Sequence, residues 1–166
     1  MSAENARPPE PTPEHRLLDA FVGTWRTEGR MEAGPLGPAA AIRGTDRYEW
    51  LPGGFFLVHR VDVRMGDEQV NTIEIIGWDP ESRTYPMRWF DGRGGSGTYH
   101  AAFRDGAWTF AGETERFTGR FAADGGTISG TWERTEDGSE WLPWMEINLT
   151  KDSAAVSATD DNGRAR

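Results

Sequence analysis

Closely spaced turn signals constrain the fold of this chain more than any other feature. From residue 24 to residue 151, short runs of alternating apolar and polar residues are separated by Gly-Asp, Asp-Gly and Asp-Pro-Glu-Ser segments. Such segments are typical of tight turns between antiparallel strands. The intervals between them leave no room for a crossover helix, so the pattern predicts an antiparallel meander.

We predict about ten strands in this meander. Their ranges are 24–32, 42–51, 54–65, 68–78, 83–91, 97–104, 107–112, 114–122, 127–136 and 139–150. An open sheet of this size leaves two long edges exposed, whereas closure into a barrel removes both edges. The predicted fold is therefore all-β, a roughly ten-stranded antiparallel up-and-down barrel with a short N-terminal helix.

The hairpins also predict which side chains share a face of the sheet. We centre them at 66–67, 105–106, 124–125 and 137–138. The first pairs His59 with Glu74, and the last pairs Trp132 with Pro143. Directly opposed residues lie on one face, and these hairpins all place their large apolar residues on the same face. The other face carries mainly charged residues, so the apolar face is the interior.

The two ends of the chain differ from the meander in composition. Residues 1–13 hold four prolines among small and acidic residues, and residues 152–166 are mostly small and polar. We therefore expect a disordered lead-in, a single barrel domain over 14–151 and a disordered tail. The first residues lack the basic and apolar regions of a secretory signal, which favours a cytoplasmic location.

A short helix is predicted over residues 13–21, after Thr12 as its N-cap. His15 falls on the polar side of this helix, and His100 falls on the outer face of the sheet. The three histidines of the chain are thus dispersed, and we expect no metal site because such sites need convergent ligands.

Charge and composition exclude several classes of protein. The formal net charge is −9 and the pI is near 4.8, so the chain lacks the basic surface that nucleic acids or anionic membranes require. There are no cysteines, which excludes disulfides and thiolate metal sites. No apolar stretch reaches the length of a membrane-spanning helix.

Several segments resemble known barrel families. The helix and the following Phe21-Val22-Gly23-Thr24-Trp25 resemble the Gly-x-Trp start of lipocalins and fatty-acid-binding proteins. Over roughly residues 15–150 the chain more specifically resembles the DUF1579 family of lipocalin-like bacterial proteins. The matching stretches are Val22-Gly23-Thr24-Trp25, Tyr48-Glu49-Trp50-Leu51-Pro52-Gly53-Gly54-Phe55-Phe56-Leu57, Ile76-Gly77-Trp78-Asp79-Pro80 and Trp89-Phe90-Asp91. The resemblance implies a calycin-like barrel and assigns no catalytic residue.

Nitrobindin-like haem barrels are also similar at Gly23-Thr24-Trp25. That resemblance implies a proximal histidine late in the chain, and no histidine follows His100. Haem is therefore disfavoured, and we expect no cofactor.

His59 is the most informative polar residue because it lies in the middle of a strand on the apolar face. It opposes Glu74 on one side and either Asp46 or Tyr48 on the other, depending on the preceding turn. Three interpretations stay open: a structural polar cluster, an anchor for a ligand, or general acid–base catalysis by His59 with Glu74 and Asp46.

Large side chains on the same face predict a lined lumen. A ten-stranded barrel is wide enough that side chains need not fill it, although a filled core is the alternative. The predicted ligand-binding residues are Tyr48, Trp50, Leu57, Thr72, Tyr85, Met87, Trp89, Tyr99, Trp108, Trp132 and Trp141.

Two further features concern the rim and the wall of the barrel. Glu115 and Arg134 oppose each other, either as a structural salt bridge or with Arg134 as an anion-binding group. The glycine-rich segment 91–97 lacks the Lys-Ser/Thr of a phosphate-binding loop. We interpret this segment as a flexible hairpin at the barrel mouth, with a role as a lid.

A patch for self-association is predicted on the outer face. Leu142 and Trp144 alternate outward on the last strand, and together with Phe56 and Val58 they would form an apolar dimer surface.

The sequence thus predicts binding of a hydrophobic or aromatic small molecule in the lumen, with the polar anchor around His59 and Glu74. The alternatives are a cofactor-independent isomerase, cyclase or lyase that uses the same residues, and a structural dimerising barrel.

Overall fold

A computed structural model describes residues 7–35 and 37–153, and in it ten strands form one closed antiparallel barrel. A short helix α1 (Pro13–Leu17) and a 3₁₀ helix (Leu18–Phe21) precede the strands. The strands are β1 (Gly23–Met31), β2 (Ala40–Trp50), β3 (Leu57–Met65), β4 (Glu68–Ile76), β5 (Tyr85–Asp91), β6 (Ser96–Arg104), β7 (Ala107–Ala111), β8 (Glu115–Phe121), β9 (Thr127–Arg134) and β10 (Leu142–Lys151). The predicted fold class is confirmed.

Disorder was expected over residues 1–13 and 152–166. Of these, residues 1–6 and 154–166 lie outside the described residues, and the expectation stays a prediction. The domain limits of 14–151 stay a prediction. Within the described ranges, no helix has the length and apolar character needed to cross a membrane.

The barrel closes because β1 pairs with both β2 and β10, while every other strand pairs with its neighbours in sequence. The hairpin register is confirmed at three turns. His59 opposes Glu74, Phe103 opposes Trp108, and the turn at 124–125 gives its predicted pairs. These three registers agree on which residues of each strand face inward, and they put the large side chains on the inner face.

The predicted register between β9 and β10 is wrong. Trp132 pairs with Met145 rather than with Pro143, and a bulge lies between Pro143 and Met145. The connection is longer than a two-residue hairpin because Asp137 organises a wider loop. Its Oδ1 accepts hydrogen bonds from the backbone N–H groups of Ser139 (2.9 Å) and Glu140 (3.3 Å).

The bulge also reverses the direction of Trp144. Since one extra residue stands in the strand, Trp144 and Met145 both face the interior, and the predicted outward position of Trp144 is wrong. Leu142 pairs with Arg134 of the cavity wall, and at the end of its strand it is 59% exposed. It sits at the barrel end where β10 meets Met31, whereas Phe56 sits at the opposite end.

The predicted apolar patch is therefore not contiguous. Phe56 and Val58 instead continue onto the neighbouring strand, where Val58 pairs with the exposed Ile75.

His15 is buried, contrary to its expected place on the polar side of the helix. It occupies the third helical position, where its Nδ1 accepts a hydrogen bond from the backbone N–H of Thr12 (3.0 Å). Its ring packs edge-on against Phe55 with centroids 5.4 Å apart. The capping role holds the side chain over the barrel end instead of in solvent.

The helical segment fills this end of the barrel. Leu18 and Phe21 are buried, and the fully buried Trp25 donates its indole N–H to the carbonyl of Phe21 (2.7 Å). The hydroxyl of Tyr85 donates to the carbonyl of Glu14 (2.7 Å). Hydrogen bonds from the barrel wall thus fix the helix, and apolar contacts exclude water beneath it.

Replacement of Trp25 by alanine is expected to lower the free energy of unfolding by about 3–5 kcal/mol, because a large buried side chain and its hydrogen bond are lost. Urea denaturation followed by circular dichroism measures this change. Leu142→Ala, at the exposed site on β10, serves as the control with an effect within about 0.5 kcal/mol. Equal effects of the two substitutions would contradict the role of Trp25 in holding the helical segment at this end of the barrel.

Candidate functional site

The half of the barrel away from the helix encloses a cavity of about 1120 Å³. This volume lies just above the range of about 300–1,000 Å³ that is usual for small-molecule sites. The cavity reaches the turns that connect β3 to β4, β5 to β6, β7 to β8 and β9 to β10. Since the helix fills the opposite end, the lumen is a deep cup whose mouth lies among these turns.

A histidine between two carboxylates forms the polar centre of the cavity wall. Asp46, His59 and Glu74 lie on β2, β3 and β4 and are all buried. His59 Nε2 is 2.6 Å from Asp46 Oδ1, and Nδ1 is 2.5 Å from Glu74 Oε2. The hydroxyl of Thr27 on β1 donates to the other oxygen of Asp46. Four adjacent strands thereby share one hydrogen-bonded row.

This geometry is satisfied when both ring nitrogens of His59 carry protons, because each then donates to the carboxylate oxygen that it faces. Burial lowers the pKa of His59, but the charge of Glu74, the hydrogen bonds from Asp46 and Glu74 and the charge of Asp46 outweigh burial and raise it to about 9. The imidazolium and two carboxylates together leave one negative charge on this row.

Tyr48 supports the imidazolium ring from one side. It pairs with His59 across β2 and β3, so the structure resolves the two registers that the sequence left open. The two rings stack at 3.8 Å with an angle of 7°. Burial first, and then the charges of Asp46 and Glu74, raise the pKa of Tyr48 well above its usual value. Tyr48 is thus a neutral phenol against a cationic ring, an arrangement stabilised by the ring quadrupole.

A second polar cluster lies on the opposite wall. Glu115 accepts hydrogen bonds from Arg134 and from the hydroxyl of Tyr99 (2.7 Å). Burial and the carboxylate of Glu115 raise the pKa of Tyr99. The guanidinium of Arg134 stacks 3.8 Å from the ring centre of Trp144. Arg134 is therefore held by a carboxylate and an aromatic face, which supports its predicted salt bridge with Glu115.

Glycines allow aromatic rings to lie flat against the cavity wall. The indole of Trp89 covers Gly97, the ring of Tyr99 covers Gly112, and the ring of Phe117 covers Gly130. A Cβ atom at any of these glycines would collide with the ring above it. The rings consequently present their faces to the lumen and leave its centre open.

The cavity contains part of the predicted lining. Among the predicted ligand-binding residues, those that line it are Tyr48, Thr72, Met87, Trp89, Tyr99 and Trp132, together with the polar residues Asp46, His59 and Glu74. Their contact with a ligand stays a prediction.

Five residues that we expected in the lining lie elsewhere. Leu57, Tyr85 and Trp108 belong to the packed core beneath the helix. Trp50 donates its indole N–H to Asp19 of the 3₁₀ helix (2.7 Å), and Trp141 lies beneath the guanidinium of Arg116. The helical segment covers the end of the barrel that contains Leu57, Tyr85, Trp108 and Trp50. The long loop before β10 places Trp141 on the outer wall.

Thr27 and Trp144 are among the cavity-lining residues that the sequence analysis did not include in the site. Thr27 shares the face of Trp25 on β1 because it stands two positions further on, so strand alternation could have located it. Trp144 could not have been found in this way because the bulge changes the parity of β10.

The glycine-rich segment forms part of the rim, as expected. Asp91 Oδ1 accepts the backbone N–H groups of Arg93 (2.9 Å) and Gly95 (2.7 Å), and Arg93 pairs with Glu68 on the neighbouring turn. These bonds give the turn a defined shape. Its role as a lid stays a prediction.

The side chains present do not form a metal centre. Within residues 7–35 and 37–153, no group of His, Asp and Glu residues is arranged to hold a metal ion. Of the three histidines only His59 lines the cavity, and both of its nitrogens are directed at carboxylates. An imidazolium in that state has no lone pair to offer to a metal or a haem iron.

Together, the fold and this cavity define a lipocalin-like β-barrel suited to ligand binding. The chain belongs to the family described as "Protein of unknown function (DUF1579)", which matches residues 10–151. No curated protein matches the chain.

Two of the solved structures that match the chain are a crystal structure and a designed protein. The crystal structure of Rv2717c from M. tuberculosis has a TM-score of 0.62 at 12% identity, covering 85% of this chain and 98% of that chain. A de novo designed fluorescence-activating β-barrel has a TM-score of 0.41 at 13% identity, covering 81% of this chain and 95% of that chain. The first of these supports the barrel fold.

The protonation of His59 can be measured directly. We expect ¹H–¹⁵N NMR of the imidazole groups to show both His59 nitrogens protonated at pH 7.5, with a titration midpoint near pH 9. His15 is the internal control, because burial lowers its pKa below the usual value. A His59 midpoint at or below that of His15 would refute the charged state assigned to this row.

The raised pKa of His59 also makes the free energy of unfolding depend on pH. Since the pKa of His59 is higher in the folded state, its contribution is complete below the unfolded pKa of about 6.5 and is lost as the pH rises through about 9. We expect His59→Gln to cost about 3 kcal/mol at pH 6 and clearly less at pH 10. Urea unfolding of both proteins at the two pH values tests this, and a constant difference would contradict it.

Proposed function

We propose that the barrel binds a hydrophobic or aromatic small molecule in its lumen, with Glu74 and the Asp46–His59 pair as the polar anchor. The observation that carries the proposal is the cavity of about 1120 Å³ beside a buried, charged row of side chains. Cavities that are mainly apolar and contain a few placed polar groups are the usual form of small-molecule sites.

The aromatic lining supports the same proposal. Trp89, Tyr99, Trp132 and Phe117 follow one another around the wall, with successive ring centroids 6.2, 5.7 and 5.4 Å apart. Rings held flat against a wall offer a large contact area at little cost in conformational entropy. A planar apolar ligand would therefore gain contact with several faces at once.

The geometry favours binding over the alternative of catalysis. A general base needs a free lone pair, and a general acid needs an N–H group directed at the substrate. Both nitrogens of His59 are engaged by Asp46 and Glu74 within the wall. With His59 as the acid or base, the isomerase, cyclase or lyase alternative would require one of these hydrogen bonds to break in each turnover.

Two narrower elements of the hypothesis stay predictions. A homodimer would have to use the apolar face of Phe56, Val58 and Ile75, because Leu142 lies at the other end of the barrel. The cytoplasmic location also stays a prediction.

Binding is tested with Nile red, a neutral dye whose emission rises in apolar surroundings. We expect saturable one-to-one binding to the wild-type protein. Gly97→Ala is expected to weaken binding about fivefold, because the new Cβ pushes the ring of Trp89 into the lumen and removes about one ring contact.

The matched control is Gly34→Ala, since no atom lies within 4 Å of a Cβ built at Gly34. This substitution should leave the Nile red affinity unchanged. Equal affinities of the wild type and both variants would show that the dye binds outside the lumen, and absence of binding to the wild type would refute luminal binding of neutral apolar compounds.

A further inference from the structure

The charged residues that line the cavity are mainly acidic. Its lining includes six acidic residues and three basic ones. The acidic residues are Asp46, Glu68, Glu74, Asp91, Glu113 and Glu115, and the basic residues are His59, Arg93 and Arg134. Each basic group is already paired with a carboxylate: His59 with Asp46 and Glu74, Arg93 with Glu68, and Arg134 with Glu115. The unbalanced charge of the lumen is negative.

Glu74 keeps an oxygen available for a ligand. Its Oε2 accepts the hydrogen bond from His59, and among the described residues no group donates to its Oε1. Glu74 is buried in the wall and lines the cavity. A donor or a positive charge on a ligand in the cavity could therefore pair with this oxygen, and the partial burial of the side chain would strengthen the interaction.

Aromatic residues neighbour Glu74 on the cavity wall. Trp89 is the direct cross-strand partner of Glu74, and its ring lies flat over Gly97 so that its face is presented to the lumen. Tyr99 is stacked near Trp89 at 6.2 Å. The negative face of an aromatic ring attracts cations, most strongly where water is excluded. A carboxylate beside flat aromatic faces is the combination that recognises organic cations.

We propose that the ligand is an organic cation, a protonated amine or quaternary ammonium group carried on an apolar or aromatic body. Its charge lies between Glu74 Oε1 and the faces of Trp89 and Tyr99, and its apolar body extends along Trp132 and Phe117. This inference rests on the proposed luminal binding and names the ligand class. Anionic ligands are disfavoured because Glu115 already neutralises the guanidinium of Arg134.

The test compares two compounds of the same shape. Benzyltrimethylammonium and neopentylbenzene differ by the exchange of a charged nitrogen for carbon, so their affinities isolate the effect of the charge. Isothermal titration calorimetry at pH 7.5 is expected to show the ammonium compound binding at least about tenfold more tightly to the wild-type protein.

Two substitutions assign that preference to the lumen. Glu74→Gln removes the charge and keeps the shape, and Trp89→Leu removes the aromatic face and keeps the charge; each is expected to bring the affinity ratio close to one. Glu28→Gln removes a carboxylate that is 62% exposed on the outer face of β1, and it should leave the ratio unchanged. The Trp89 variant keeps the test decisive if the Glu74 variant does not fold.

The outcomes separate this inference from the proposal on which it rests. If neopentylbenzene binds as tightly as the ammonium compound, the ligand class is wrong and luminal binding stands. If neither compound binds while Nile red does, the ligand class is also wrong. If Nile red binding is absent as well, luminal binding itself has failed. A preference that Glu28→Gln abolishes would show attraction by net charge and overturn the assignment to Glu74.

Discussion

The pairing of β1 with β10 is the contact on which the rest of the structure depends. It joins the first strand to the last over seven residue pairs, from Trp25 with Lys151 to Met31 with Met145. Without it the sheet would have two unpaired edge strands, and water would reach its inner face. Closure therefore both protects the edges and creates an enclosed interior in which carboxylates must find partners. The row that runs from Thr27 to Glu74 lies on the four consecutive strands β1 to β4, and closure of the barrel places it in that interior.

Three of the glycines and the aromatic residues of the cavity wall have one common explanation. At Gly97, Gly112 and Gly130 the missing side chain is replaced by an aromatic ring from a neighbouring strand. The wall is thereby covered without the lumen being filled, since a ring lying flat occupies less of the interior than a ring that stands upright. A chain with a modest apolar fraction can in this way line a large cavity with few residues.

The sequence predicted the faces of the strands well and the depth of their residues poorly. Two-residue hairpins and strand alternation determine which face of the sheet each side chain occupies. For this reason His59, Glu74 and Trp89 were predicted on the inner face. Whether a residue faces inward gives no information on its height along the barrel axis. Tyr85 and Trp108 were therefore predicted to line the cavity, although they lie beneath the helix. Bulges and caps depend on local loop geometry, and for this reason the positions of Trp144 and His15 were not predicted.

The packed helical end has a consequence for the rate of exchange. Because one end is sealed by hydrogen bonds from the wall, a ligand of the proposed kind would enter and leave past the turns of the other end, among them the Asp91 turn and the Glu68–Arg93 pair. Residues of the deep wall would then govern the strength of binding, whereas residues of the rim would govern the association and dissociation rates together. Residence time and affinity would consequently be separable properties in such a barrel, and evolution or design could adjust the rim without disturbing the charged row below it.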